Sequence, residues 1–212
     1  MRLAIAMISL FGRHSKIAPS GAARTSGGSS SSNPGVGSAA VQLCRAMGAR
    51  VIGTGRTAQK LARAEEWGVE KAVLCESSPP QFAEAVREAT GGRGVDLVLD
   101  LVGGDYLPET LRAMAPQGRV MLVGLVAGRQ AAVDLSVLLT QRLRVTGTVL
   151  RTRPPEEKMA LVRAAERSLV PLFKTGELTP VLEAVYSPHE AREAYSRMER
   201  NDTVGKLVLH WK

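Results

Sequence analysis

Apolar and polar positions fall into a regular order only from residue 34 onward. Val36, Ala40, Leu43 and Met47 recur at three- and four-residue spacing, which predicts a helix with one apolar stripe. Gly48 stops it, as a helix-ending glycine does. Residues 49–54 predict a short buried strand. A helix follows to about residue 67, with Thr57 as its cap and Gly68 at its end. Residues 71–75 predict another short strand, and 80–89 a helix closed by Gly91-Gly92-Arg93-Gly94. Residues 95–102, Val-Asp-Leu-Val-Leu-Asp-Leu-Val, carry the strongest strand signal. Beyond Gly103-Gly104 the pattern predicts a helix over 106–113, a strand over 119–125, a helix over 134–141 and a strand over 144–150. Strands thus alternate with helices from 36 to 150. This is an α/β pattern that requires parallel strands with helices on both faces, a Rossmann-like doubly wound parallel sheet. Residues 155–174 and 188–199 read as helices and 204–211 as a strand, outside the simple alternation.

Residues 1–34 look unlike the rest. An apolar, Arg-bearing start passes into Ser-, Gly- and Ala-rich sequence ending Gly-Gly-Ser-Ser-Ser-Ser-Asn-Pro, with no acid. Three readings stand side by side: a transit peptide, a flexible tail, and an out-of-frame or intronic start joined to a genuine domain. The expected organisation is 1–34 as an atypical, disordered or artefactual segment, 35–153 as the nucleotide-binding core, and 154–212 as C-terminal helices with a final strand.

Charge changes the picture only at the front. The net charge of +8 comes from residues 1–64, which hold nine Lys or Arg and no acid. Aromatic residues make up only 4%, which argues against nucleic acid, since base-stacking platforms are missing. Cys44 and Cys75 are too few for a disulfide framework and lack metal-ligand spacing. His14, His189 and His210 are scattered, so no metal site is expected, and no Gly-x-Ser-x-Gly elbow occurs. No apolar run approaches the ~20 residues of a membrane span. A cytoplasmic location is expected, or a mitochondrial one if 1–34 is a transit peptide.

Candidate chemistry gathers at the glycines. Gly35-Val36-Gly37 precedes the first periodic helix, where backbone N–H groups approach a pyrophosphate and the helix end favours negative charge. An acid about 20 residues later would bind a ribose 2′-hydroxyl. The stretch over 55–60 holds none; Arg56, Thr57 and Lys60 suit a 2′-phosphate instead, which favours NADP(H) over NAD(H). Residues 100–104 and 123–128 fall at the carboxyl edge of the predicted sheet, where such folds bind ligands. Asp100 there reads equally as a structural acid or a site residue.

The segments 35–54, 89–104, 118–128 and 204–209, in this order, resemble the zinc-free quinone oxidoreductases of the medium-chain dehydrogenase/reductase superfamily. Residues 138–158 are most similar to the branch containing the tumour-suppressor-inducible quinone oxidoreductase. The resemblance covers about 34–212. It implies an NADPH-binding Rossmann domain and hydride transfer from NADPH to a quinone or enone substrate without zinc. It places Gly35, Val36 and Gly37 in the pyrophosphate turn, and Thr57 and Lys60 at the 2′-phosphate. Val102, Gly124, Leu125, Leu150 and Arg151 then fall along the cofactor cleft, and Gly205 and Lys206 in a terminal motif near the cofactor. It also implies a homodimer through strand 144–150. No residue acquires a catalytic role.

Two departures from the family pattern follow. A catalytic domain before the glycines, and the first strand of the sheet, are expected to be absent; residues 3–10 could supply a substitute strand, but a loop of roughly twenty residues would then replace a tight turn, which is unusual. The final strand, 204–209, would then lack the sheet to which it returns. The chain is therefore expected to be a truncated reductase, inactive alone, with a non-catalytic NADP(H)-binding or dimerising module as the alternative. Nucleic-acid binding through the basic front is third.

Overall fold

The computed structural model describes residues 5–11, 34–200 and 203–211. Six parallel strands form one sheet: β1 Ile5–Phe11, β2 Arg50–Gly55, β3 Lys71–Leu74, β4 Val95–Asp100, β5 Met114–Leu122 and β6 Arg144–Gly147. Their order is β3-β2-β1-β4-β5-β6. The connecting helices are α1 Pro34–Ala46, α2 Ala58–Glu66, α3 Ala83–Ala89, α4 Tyr106–Arg112 and α5 Leu135–Gln141. Beyond the sheet come α6 Pro155–Thr175, β7 Leu182–Tyr186, α7 Ala191–Glu199 and β8 Lys206–Leu209.

The period-two pattern explains the two-sided core. Met7 and Ile52 point to one face, and Ile8 and Val51 to the other. α3 and α4 cover the first face through Val86 and Leu111. α1 and α2 cover the second through Val41 and Leu61. The doubly wound fold is as the alternation requires.

The expectation that the sheet lacks its first strand is corrected. β1 fills the central position, pairing Ser9 with Thr54 on one side and with Asp100 on the other. Met7 and Ile8 are 0% and 1% exposed, so β1 contributes to the core on both faces. The physical reason is a balance of two terms. An open slot would leave the backbone groups of both β2 and β4 unpaired. The entropic cost of closing a long connection grows only logarithmically with its length. The connection itself, residues 12–33, lies outside the described residues.

Other expectations shift locally. The stripe of Val36, Ala40, Leu43 and Met47 is not the buried face of α1: Met47 is 77% exposed, whereas Val41 is 0% exposed. The small residues beside Val41 let α1 lie close on β1. Val36, Ala40 and Leu43 instead border a groove of about 560 Å³ with Phe173 and Pro180. α3 begins at Ala83 rather than at 80. There Glu109 of α4 accepts the Phe82 and Ala83 N–H groups on one oxygen, both at 3.0 Å. β7 was not anticipated. It pairs in parallel with β8, so the final strand does have a sheet. No helix among the described residues is long and apolar enough to cross a membrane.

Candidate functional site

Parallel strands place all their carboxyl ends on one edge, and the crevice opens where the winding reverses, between β1 and β4. α1 starts from that edge. Pro34 occupies its first position, where a missing N–H costs nothing. Gly35, Val36 and Gly37 therefore lie inside the first turn, not before it as expected. The Gly35 and Val36 N–H groups, among the first of the helix, have no carbonyl partner within it. The first turn carries no acid, so the positive helix end is left for an external anion.

Lys206, at the start of β8, crosses directly in front of Gly35. A side chain on Gly35 would collide with its terminal carbon and ammonium. The two ends of the chain's motif set, 171 residues apart by subtraction of their numbers, thus meet at the helix start. The Lys206 N–H donates to the Val181 carbonyl at 2.8 Å, which anchors the strand. Gly205 beside it lies against the same carbonyl, too close for a side chain. Gln42 of α1 fixes that region from behind: its amide donates to the Thr179 carbonyl (3.0 Å) and accepts the Thr179 N–H (2.8 Å).

At the end of β2, Arg56 is half-buried, Thr57 exposed and Lys60 buried at 6% exposure. Thr57 is the N-cap residue of α2, but its hydroxyl makes no cap bond, contrary to expectation. Its extended backbone suffices to start the helix. Arg56 donates to the Glu76 carbonyl at 3.4 Å. The Tyr106 hydroxyl lies beside the Arg56 guanidinium and the Cys75 thiol, yet forms no well-aligned hydrogen bond with either. Burial, and then the nearby thiol, push the Tyr106 phenol above its ordinary pKa, with Arg56 pulling the other way. Tyr106 was not anticipated as a neighbour of this cationic end. The local signal, an aromatic residue opening a helix after Gly-Gly-Asp, points equally to ordinary core packing, and its ring does pack on Phe82 at 5.9 Å.

The ends of β4 and β5 interlock. Val102 is buried at 1% exposure. Gly124 lies so close to the Leu101 carbonyl that any side chain there would clash. Gly103 has φ +65° and faces Gly124 and Leu125, and it bridges to Gly128. Leu125 itself is 52% exposed. Asp100 is 0% exposed. Its Oδ1 accepts the Val102 and Gly103 N–H groups at 2.8 and 2.9 Å, and its Oδ2 has no partner among the described residues. Burial pushes this carboxyl above the usual aspartate range, and the two N–H groups pull it back.

Not every anticipated residue joins the crevice. Leu150 and Arg151 are exposed beyond β6, which β5 separates from β4. The Arg151 carbonyl accepts from Lys158 at 3.0 Å, which ties it to α6 instead. Among the described residues, no group of three His, Cys, Asp or Glu is placed to hold a metal ion.

Comparison with known proteins adds the lineage. The family model of zinc-binding dehydrogenases matches residues 35–167. The 2-haloacrylate reductase of Burkholderia sp is 31% identical over 179 residues, covering 82% of this chain and 52% of that protein. Quinone oxidoreductase-like protein 2 of Bos taurus is 27% identical over 164 residues, covering 77% and 46%. A mycobacterial protein solved in complex with NADPH superposes with a TM-score of 0.71 at 28% identity, covering 97% of this chain and 57% of the other. The chain spans about half the length of the Burkholderia and Bos taurus relatives.

Proposed function

Because the chain belongs to the zinc-binding dehydrogenase family, by its quinone oxidoreductase-type members, we propose that residues 35–153 are the NADP(H)-binding core of a reductase acting on quinones or other activated double bonds. The observation that carries this reading is the edge itself. It joins an acid-free helix start under Lys206 to an acid-free strand end bearing Arg56, Thr57 and Lys60. Both parts suit phosphates, and a crevice with this donor set fits a phosphorylated dinucleotide.

Gly35, Val36 and Gly37 would offer backbone N–H groups to the pyrophosphate, with Lys206 adding positive charge. Arg56, Thr57 and Lys60 would hold the 2′-phosphate, Arg56 by its fork and Thr57 by its hydroxyl. Val102, Gly124 and Leu125 would form the wall of the crevice, while Gly205 keeps β8 close enough for Lys206 to reach. Leu150 and Arg151 would join this wall only if the segment beyond β6 folds inward. The cofactor, when bound, would supply hydride, which carries both electrons, and a proton from solvent would complete the reduced product. The chain's own residues bind and orient.

NADPH oxidation with a benzoquinone or naphthoquinone tests the activity. Turnover above the uncatalysed rate is the expected result for a competent reductase, and a rate equal to background overturns activity for this chain. A second reading, a non-catalytic NADP(H)-binding module that dimerises through 144–150, is favoured by one observation: all four residues of β6 are exposed at a sheet edge. Sedimentation of the chain with and without a proline at Val145 separates monomer from dimer.

A further inference from the structure

We infer that Asp100 is the positioning residue of the crevice: its side chain and its carbonyl together set the two glycine turns that form the cofactor wall. This rests on the nucleotide-binding reading above. Four backbone N–H groups from two separate turns converge on this one residue. The carboxylate takes Val102 and Gly103 at 2.8 and 2.9 Å. The carbonyl takes Val123 at 2.8 Å and Gly124 at 3.3 Å. The first pair shapes the turn after β4 and the second the turn after β5. Both turns are too tightly packed to be fixed by side chains of their own, since Gly103 and Gly124 have none and no room for any.

A bare carboxylate is a costly way to fill a fully buried strand end. An apolar residue would fill the space with less desolvation, but it would leave the Val102 and Gly103 N–H groups without an acceptor. Asp100 sits at the switch point, opposite Ser9 of β1 and Leu122 of β5, so it lies at the base of the crevice. Only a short side chain with an acceptor oxygen reaches an N–H two and three residues ahead. The consequence is a wall held in its binding shape before the nucleotide arrives, which lowers the ordering cost of binding.

The role separates from mere stability by its readout. Asp100→Asn keeps the Oδ1 acceptor, whereas Asp100→Ala removes it. NADPH dissociation constants are measured below each variant's melting transition, with far-UV circular dichroism confirming the fold. Amide hydrogen exchange is followed over 101–104 and 123–125 with and without NADPH. The expected result is a loss of affinity of about tenfold or more for Asp100→Ala, and a change within about threefold for Asp100→Asn. Faster exchange in Asp100→Ala is expected at Val102 and Gly103, which lose their acceptor, and not in α2 or β3. A folded Asp100→Ala that binds NADPH as the wild type does overturns the inference and leaves the nucleotide reading standing. If Asp100→Ala does not fold, Asp100→Leu, which fills the space without an acceptor, takes its place with the same criterion. The wild-type exchange data decide independently: saturable NADPH binding that leaves 101–104 and 123–125 unprotected overturns the inference. A wild-type chain that binds neither NADPH nor NADH overturns the nucleotide reading itself, and this inference with it.

Discussion

The inner strands and the last third of the chain are built on opposite terms. In β1, β2 and β4, Met7, Ile8, Val51 and Val98 are at most 1% exposed. In α5, β6 and α6 no residue is buried. Large apolar side chains there face outward instead, with Leu139, Val162 and Met159 at 78%, 66% and 54% exposure. The first region resembles the interior of a finished domain. The second resembles a surface that another polypeptide covers, because soluble chains seldom leave so many large apolar side chains bare without a partner. The crevice draws most of its parts from the first region. Cofactor binding is therefore expected to survive in the chain alone, whereas any step that needs the second region covered is not.

The largest effect that would break this contrast comes from charge in each region. Ile8→Asp buries an unpaired carboxylate between two sheet neighbours, and the expected loss is more than about 4 kcal/mol, enough to unfold the chain. Val162→Asp in α6 is expected to change stability by less than about 0.5 kcal/mol. Urea unfolding of both variants checks this. An equal loss in the two would mean that α6 belongs to the core.

Next is the link between α3 and α4. Glu109, 8% exposed, accepts two N–H groups at the start of α3 and pairs with Arg112 at 2.7 Å. Glu109→Ala strands both donors and is expected to cost about 2–4 kcal/mol. Glu109→Gln keeps an acceptor oxygen and is expected to cost roughly half as much. A drop below about 0.5 kcal/mol for the alanine variant would show that the inner region tolerates the loss of its buried polar ties.

Smaller still is a pH effect within the inner region. The Asp100 carboxyl is raised in the fold, chiefly by burial. The folded state therefore holds its proton at pH values where the unfolded chain has released it. Stability from this group is intact below the ordinary aspartate value and falls as pH rises through the folded value. Relative to Asp100→Asn, the wild type is expected to lose stability as pH rises from about 4. Urea midpoints across that range measure it, and a difference that grows in favour of the wild type with pH would contradict it. The smallest effect lies on the surface. Arg50 and Glu70 pair through several hydrogen bonds, but their side chains are 42% and 50% exposed. Arg50→Ala is expected to cost about 0.2–1 kcal/mol, and less in high salt. A cost above about 2 kcal/mol would place this pair with the inner region.

The parts of this structure legible from sequence were those written in local periodicity. Strands over 50–55 and 95–100, and the helix after Gly35, follow from apolar spacing and glycine stops. The central strand was visible only as a candidate, the apolar run over 3–10, and it was set aside because residues 12–33 separate it from the glycines with which such a strand ordinarily forms a tight turn. The face of α1 was misread because small residues can pack closer than large ones. Gly37 and Ser38, not Leu43, flank the buried Val41. Glu109 left no signal, since its partners lie 26 and 27 residues away. Gly35 and Lys206 were named as candidates from motifs, but their meeting depends on how β8 returns, which no local pattern contains. Leu150 and Arg151 were drawn toward the crevice by resemblance alone, and the fold sets them at the outer edge.

The most direct measurement is the ratio of NADPH to NADH affinity for the wild-type chain, by calorimetric titration at fixed ionic strength. The acid-free end of β2, with Arg56, Thr57 and Lys60, predicts saturable binding with NADPH tighter by about tenfold or more. Equal affinities, tighter binding of NADH, or no binding of either would contradict the account.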